Sequence, residues 1–203
     1  MEFRAIGFDY GGVLEGKPGS EFNRKASDFL GVDIAKFRES YYKFNHLMNS
    51  GQITRDEFWQ KVLFSLERKE RLQEFLGTLD TWRLYEVNKD VLGLADKLRS
   101  MGYKVGILTN NTSDGATFIR GKKINEHFDV LVVSAEIGYS KPDPKAFEIF
   151  FQQLAVAPEE AIFIDDSEQS LMFAKEIGFH PILFTSYDAL VKELESIGIE
   201  ILV

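Results

Sequence analysis

The sequence predicts an α/β fold, a Rossmann-like, doubly wound parallel sheet with a small helical insertion after its first strand. Three observations carry that prediction. Short apolar runs alternate with helical patterns from Tyr85 onward, the arrangement of a parallel sheet covered by helices. Between residues 16 and 83 the apolar residues keep helical spacing and show no strand alternation. The runs ending at Asp9, Thr109 and Asp165 each stop on a polar residue, and open α/β sheets bind ligands at the carboxyl ends of their strands.

The first strand covers about residues 3 to 9 and leads through a loop from Gly11 to Gly19. Asp33 can cap a helix bearing Ile34, Phe37, Tyr41 and Phe44. Thr54 with Glu57 three residues on is a capping-box pattern, opening Phe58, Trp59, Val62 and Leu63. Asn88 caps a helix of Val91, Leu92, Leu94, Ala95 and Leu98 that Gly102 closes, and a strand from Lys104 to Leu108 follows. Val130 to Val133 is the next strand. Pro144 sits just inside a helix start behind Asp143, the position proline favours. Ala161 to Ile164 is a strand, Leu171 to Ile177 a helix ended by Gly178, and Pro181 to Phe184 a strand. A helix from Asp188 to Ile197 and a terminal strand from Ile199 to Val203 complete the pattern. The expected division is an α/β core of residues 1–15 and 84–203, with residues 16–83 as the helical insertion.

With 203 residues, 44% hydrophobic and 28% charged, the composition is that of an ordinary globular protein. No apolar run approaches the roughly 18 residues of a membrane span, so no membrane partner is expected. Met1-Glu2-Phe3-Arg4 leads straight into a strand, so no signal peptide and a cytoplasmic location are expected. The absence of cysteine excludes disulfides and thiolate chemistry. A net charge of −8 with scattered Lys and Arg argues against nucleic acid as partner. A monomer or a homodimer is expected.

Four segments concentrate the chemistry. They are Phe8-Asp9-Tyr10-Gly11-Gly12-Val13, Ile107-Leu108-Thr109-Asn110-Asn111, Gly138-Tyr139-Ser140-Lys141-Pro142-Asp143-Pro144 and Phe163-Ile164-Asp165-Asp166-Ser167. Singly, each reads as a turn, a helix start or surface charge. Together and in this order they resemble the four signature motifs of the haloacid dehalogenase superfamily, most of whose members are magnesium-dependent phosphatases. The helical insertion is similar to that family's C1-type cap. The start and the segment from Ser50 to Trp59 resemble the branch holding α-D-glucose-1-phosphate phosphatases and the phosphatase-like domain of epoxide hydrolases.

The resemblance implies roles residue by residue. Asp9 is the expected nucleophile, forming an aspartyl phosphate with a small phosphate ester, such as a sugar phosphate. Mg²⁺ is the expected cofactor, with Asp9, Asp166, the Gly11 carbonyl and Asp165 as its expected ligands or near neighbours. Thr109, Asn110 and Asn111, together with Gly11 and Gly12, are expected around the phosphoryl oxygens. Lys141 adds a positive charge among the acids, and with Asp9 and Thr109 forms the expected catalytic set.

Gly11 departs from the pattern. Most phosphatases of the superfamily carry a second aspartate there, which protonates the leaving group, work worth about 10²–10⁴-fold in rate. Good leaving groups need that acid least, and Glu15 and Tyr10 are the nearby groups that could substitute. Two other functions share the frame. A dehalogenase would use Asp9 against carbon without metal, although Asp165-Asp166 is a metal-type pair; a phosphate-binding domain would retain the site without turnover. Tyr41, Tyr42, Phe44, Phe58, Trp59 and Trp82 are available to stack on a substrate ring, but most are expected to fill the insertion's own core. His46, His127 and His180 lack ligand spacing.

Overall fold

A computed structural model describes residues 3–15, 18–79 and 87–201. Five parallel strands form one sheet: β1 (Ala5–Phe8), β2 (Lys104–Thr109), β3 (Val130–Val133), β4 (Ala161–Asp165) and β5 (His180–Leu183). Their spatial order is β3-β2-β1-β4-β5. The order reverses at β1, whose neighbours are β2 on one side and β4 on the other, and this is the switch point where such sheets open a ligand crevice.

Apolar runs buried on both faces explain the sheet. Ile6, Phe8, Val105, Ile107, Ile162 and Ile164 face one core, shared with α5 (Lys89–Ser100) and α11 (Tyr187–Ser196). Ala5, Leu108, Val132 and Phe163 face the other, filled by Phe147, Phe150 and Phe151 of α8 (Pro144–Leu154). Gly7 and Gly106 are paired across β1 and β2, and a Cβ on either would collide with the Phe150 ring. The glycines therefore let α8 lie close against the sheet.

Between β1 and β2 the chain is helical: α1 (Pro18–Leu30), α2 (Ile34–Asn49), α3 (Arg55–Ser65) and α4 (Leu72–Leu79). These helices bury a core of their own around Phe37, Phe58, Trp59, Val62, Leu63 and Phe75. Local signals set their starts. Asp33 accepts from the amides of Ala35 and Lys36, and the Thr54–Glu57 capping box forms in both directions. Each such cap contributes about 1 kcal/mol.

The expected strands and caps around β1 to β5 form with boundary shifts of a few residues. Two expectations need correction. The helix expected over Leu171–Ile177 is two single-turn pieces, α9 (Glu168–Leu171) and α10 (Ala174–Ile177), separated at Met172 and Phe173. The terminal strand does not form among the described residues: Ile199 and Ile201 are buried against the first core without joining the ladder. Their alternation reports burial of an irregular segment, because strand period alone cannot distinguish packing from pairing. Shorter helices are α6 (Ser113–Gly121) and α7 (Ser134–Ile137). Trp82, Tyr85 and the boundary at residue 84 lie outside the described residues.

Candidate active site

The switch point brings the strand ends together beneath the helical layer. Asp9 follows β1, and its amide still donates to the Ile164 carbonyl of β4 at 2.8 Å, so the ladder fixes its backbone. Thr109 and Asp165 end β2 and β4. Lys141 arrives on the loop between α7 and α8, with a cis peptide to Pro142.

Lys141 is the hub. Its side chain is 1% exposed, and Nζ lies 2.8 Å from Asp9 Oδ1 and 2.5 Å from Asp165 Oδ2. Asp165 accepts a true hydrogen bond, and its Oδ1 takes a second from the Ser167 amide at 2.9 Å. The approach to Asp9 Oδ1 is off the hydrogen-bonding direction, leaving that buried oxygen with charge attraction alone. Burial, opposed by Lys141 and reinforced by Asp165, raises the Asp9 pKa to about 7. Burial works against the Lys141 charge as well, but the carboxylates of Asp9 and Asp165 outweigh it and hold the ammonium above the usual lysine value.

Asp166 completes an acidic trio with Asp9 and Asp165, with one oxygen of each within 4.8 Å of the others. Gly12 makes room for it: φ is +83°, and a Cβ there would occupy the Asp166 carboxylate. The residues fit a hard divalent cation. The donors are all oxygen, Asp9 Oδ1 has no hydrogen bond, and among the described residues four carboxylates (Asp9, Glu15, Asp165 and Asp166) line the cavity against two cations, Lys141 and Arg55.

The remaining expected residues divide. Gly11, Thr109, Asn110 and Asn111 line the same cavity of about 470 Å³ with Asp9 and Lys141. Thr109 is buried and makes no side-chain hydrogen bond among the described residues. Asn110 is also engaged by the lysine loop. Its side chain donates to the Lys141 carbonyl at 2.8 Å and accepts from the Lys141 amide at 2.7 Å, clamping the lysine's main chain. The Asn111 amide donates to Ser134 Oγ, and its side-chain oxygen caps the Thr112 amide. Gly12 spends its amide on the Glu15 carbonyl, which leaves that group no free donor for a phosphoryl oxygen.

Sequence reasoning missed the asparagines of the far wall. Asn23 of α1 and Asn45 and Asn49 of α2 line the cavity, beside Tyr41, Tyr42 and Trp59 from the aromatics named as stacking candidates. The signal was present, since residues 42, 45 and 49 recur at three- and four-residue spacing and so share one helix face. Phe58 is fully buried in the helical core, Trp59 packs there while touching the cavity, and Tyr42 is 51% exposed at its edge. None of the histidines lines the cavity.

Comparison with known proteins follows this geometry. The family model for haloacid dehalogenase-like hydrolases matches residues 35–184. The chain is 29% identical over 207 residues to an acyl-CoA dehydrogenase family member 10 from Mus musculus, covering 96% of this chain and 19% of that protein. It is 32% identical over 124 residues to a bifunctional epoxide hydrolase 2 from Sus scrofa, covering 58% of this chain and 22% of the other. Thus it spans about a fifth of the length of the mammalian relatives it matches. A D-ribitol-5-phosphate phosphatase from Bacteroides thetaiotaomicron is 25% identical over 190 residues, 86% of this chain and 88% of that one. The fold superposes on a Bacteroides thetaiotaomicron HAD family enzyme crystallised with magnesium and inorganic phosphate, with a TM-score of 0.69 and 20% identity over 93% of this chain and 98% of the other. No helix among the described residues is long and apolar enough to cross a membrane. The five-stranded switch-point sheet, the strand-end acids and the match over residues 35–184 lead to one assignment: the chain belongs to the haloacid dehalogenase-like hydrolase family.

Proposed function

We propose that this chain is a magnesium-dependent phosphomonoesterase for a small phosphorylated metabolite, with Asp9 as nucleophile and residues 16–83 as its cap. The observation that carries the reading is the buried Lys141 ammonium between Asp9 and Asp165 at the mouth of the switch point. Relatives named as phosphatases and the magnesium and phosphate bound to a protein of the same fold support it.

The residues divide the work. A carboxylate oxygen of Asp9 attacks phosphorus, the ester P–O bond breaks, and the leaving oxygen departs as an alcohol once protonated. Water then attacks the acyl phosphate, releasing inorganic phosphate and restoring the carboxylate. Asp9 attacks only when ionised, and Lys141 favours that form against the burial that opposes it. Thr109 offers a hydroxyl to a phosphoryl oxygen, and Asn110 keeps Lys141 in register through its main chain. Asp9, Asp166 and the Gly11 carbonyl would hold Mg²⁺, with Asp165 behind them tied to Lys141 and Ser167. The ion would supply charge neutralisation at the phosphoryl group.

Gly11 leaves proton delivery to a neighbour. Tyr10 is a poor donor, because burial and then the Glu15 carboxylate push its pKa above the ordinary tyrosine value. Glu15 lines the cavity and is the better placed acid.

The test is turnover of p-nitrophenyl phosphate with Mg²⁺, with EDTA, and by Asp9→Asn. Metal-dependent hydrolysis abolished by the substitution is expected. A folded protein inert towards every phosphate ester would replace this reading with a phosphate-binding domain.

A further inference from the structure

Asn23 is 4% exposed and lines the cavity, yet its side-chain amide makes no hydrogen bond among the described residues. No atom of that amide is both fully buried and unpaired, so the group reaches the accessible space of the cavity and keeps its hydrogen-bonding capacity there. Asn45 and Asn49, half-buried on the facing stripe of α2, likewise line the cavity with no side-chain partner among the described residues. Three amides thus face the volume above Asp9 with their hydrogen-bonding capacity unspent.

An amide presents both a donor and an acceptor, which matches a hydroxyl; a carboxylate or second phosphate would use only the donor. Charge points the same way. Apart from Lys141, the only cation among the described lining residues is Arg55, which already has an interaction of its own, whereas four carboxylates face the cavity. The volume of about 470 Å³ lies within the range of small-molecule sites.

We propose that Asn23, Asn45 and Asn49 read the hydroxyls of a neutral polyhydroxylated leaving group, making the substrate the phosphate monoester of a polyol, open-chain or cyclic. This rests on the phosphomonoesterase reading above, and the test separates the two. Wild type, Asn23→Ala and Asn45→Ala are assayed on a pentitol phosphate, a hexose phosphate and p-nitrophenyl phosphate. Binding of the two polyol phosphates is measured in parallel by calorimetry in EDTA.

Asn23→Ala should lower kcat/KM for the preferred polyol phosphate about 10–100-fold and weaken its binding in step, with p-nitrophenyl phosphate turnover held within about twofold. Asn45→Ala, at a half-buried position, should move in the same direction and keeps the test decisive if Asn23→Ala fails to fold. The better of the two polyol phosphates tells an open-chain from a cyclic leaving group. Equal losses on all three substrates, or unchanged polyol-phosphate kinetics, would overturn the proposal while leaving the phosphatase reading intact. If wild type turns over no ester, the phosphatase reading fails. Calorimetry then decides the amide role alone, sustained by binding that the variants weaken and refuted by binding they leave unchanged.

Discussion

The floor and the roof of the cavity are built on opposite principles. On the floor nearly every charged group is engaged by another: Lys141 with Asp9 and Asp165, Asp165 with Ser167, and Asn110 with the lysine main chain. In the roof, Asn23, Asn45 and Asn49 have no such ties among the described residues. The floor is held by a rigid sheet and internal ion pairs, as suits chemistry that needs atoms fixed before substrate arrives. The roof rests on a separate aromatic core and presents side-chain amides that have no protein partner among the described residues. Under the proposed function, reaction type and substrate choice fall to different parts of the chain and should respond separately to mutation.

Removing the hub should have the largest effect. Lys141→Ala leaves two buried carboxylates facing each other, so it should lower stability by about 3–5 kcal/mol as well as abolish turnover. Chemical denaturation checks the first and kinetics the second; a stable, inactive variant would show that the ion pairs contribute little to folding. Phe58→Ala strikes the roof instead, opening a cavity in the helical core at a cost of about 3–5 kcal/mol. Hydrogen exchange should rise in α1 to α4 before it rises in the sheet. Simultaneous loss of protection throughout would contradict the separation of the two regions.

Asn110→Ala should be milder, lowering kcat about tenfold with little change in KM, since it frees the Lys141 main chain without removing a substrate contact. A rise in KM alone would show that Asn110 acts on substrate binding and not through Lys141. The buried nucleophile also gives a pH signature in metal-free protein. The Asp9 pKa rises from an ordinary 3.8 to about 7 on folding, so the folded state binds the extra proton between those values. That contribution to stability is complete below the unfolded value and is lost as pH rises through about 7. Asp9→Asn should then melt higher than wild type at pH 8, by about 5 °C, and this advantage should vanish at pH 4. The smallest effect is expected from Glu15→Gln: slower turnover of alkyl phosphates and nearly unchanged turnover of p-nitrophenyl phosphate, whose leaving group needs no acid.

Much of the floor was legible in the sequence because each part is local. Apolar runs stop at Asp9, Thr109 and Asp165, and a parallel sheet puts strand ends on one edge whatever its strand order. The caps at Asp33, Thr54, Asn88 and Asp143 were legible for the same reason, each being a short-range hydrogen bond. What escaped depends on contacts distant in sequence. Asn110 meets the Lys141 main chain thirty-one residues away, which no local pattern encodes. Gly12 looked like a phosphate-loop glycine, yet its bare α-carbon accommodates Asp166, which directly follows β4. Asn23 and Asn45 carry no local signature, and only the packing of α1 and α2 brings them to the cavity that Asp9 and Lys141 line.

The central claim is that Asp9 carries the phosphoryl group, and rapid-quench peptide mapping with a labelled phosphate ester tests it most directly. During turnover with Mg²⁺ the label should appear on the peptide containing Asp9, be released by hydroxylamine, and be missing from Asp9→Asn. Steady hydrolysis with the label absent from that peptide, or carried by another residue, would contradict the account.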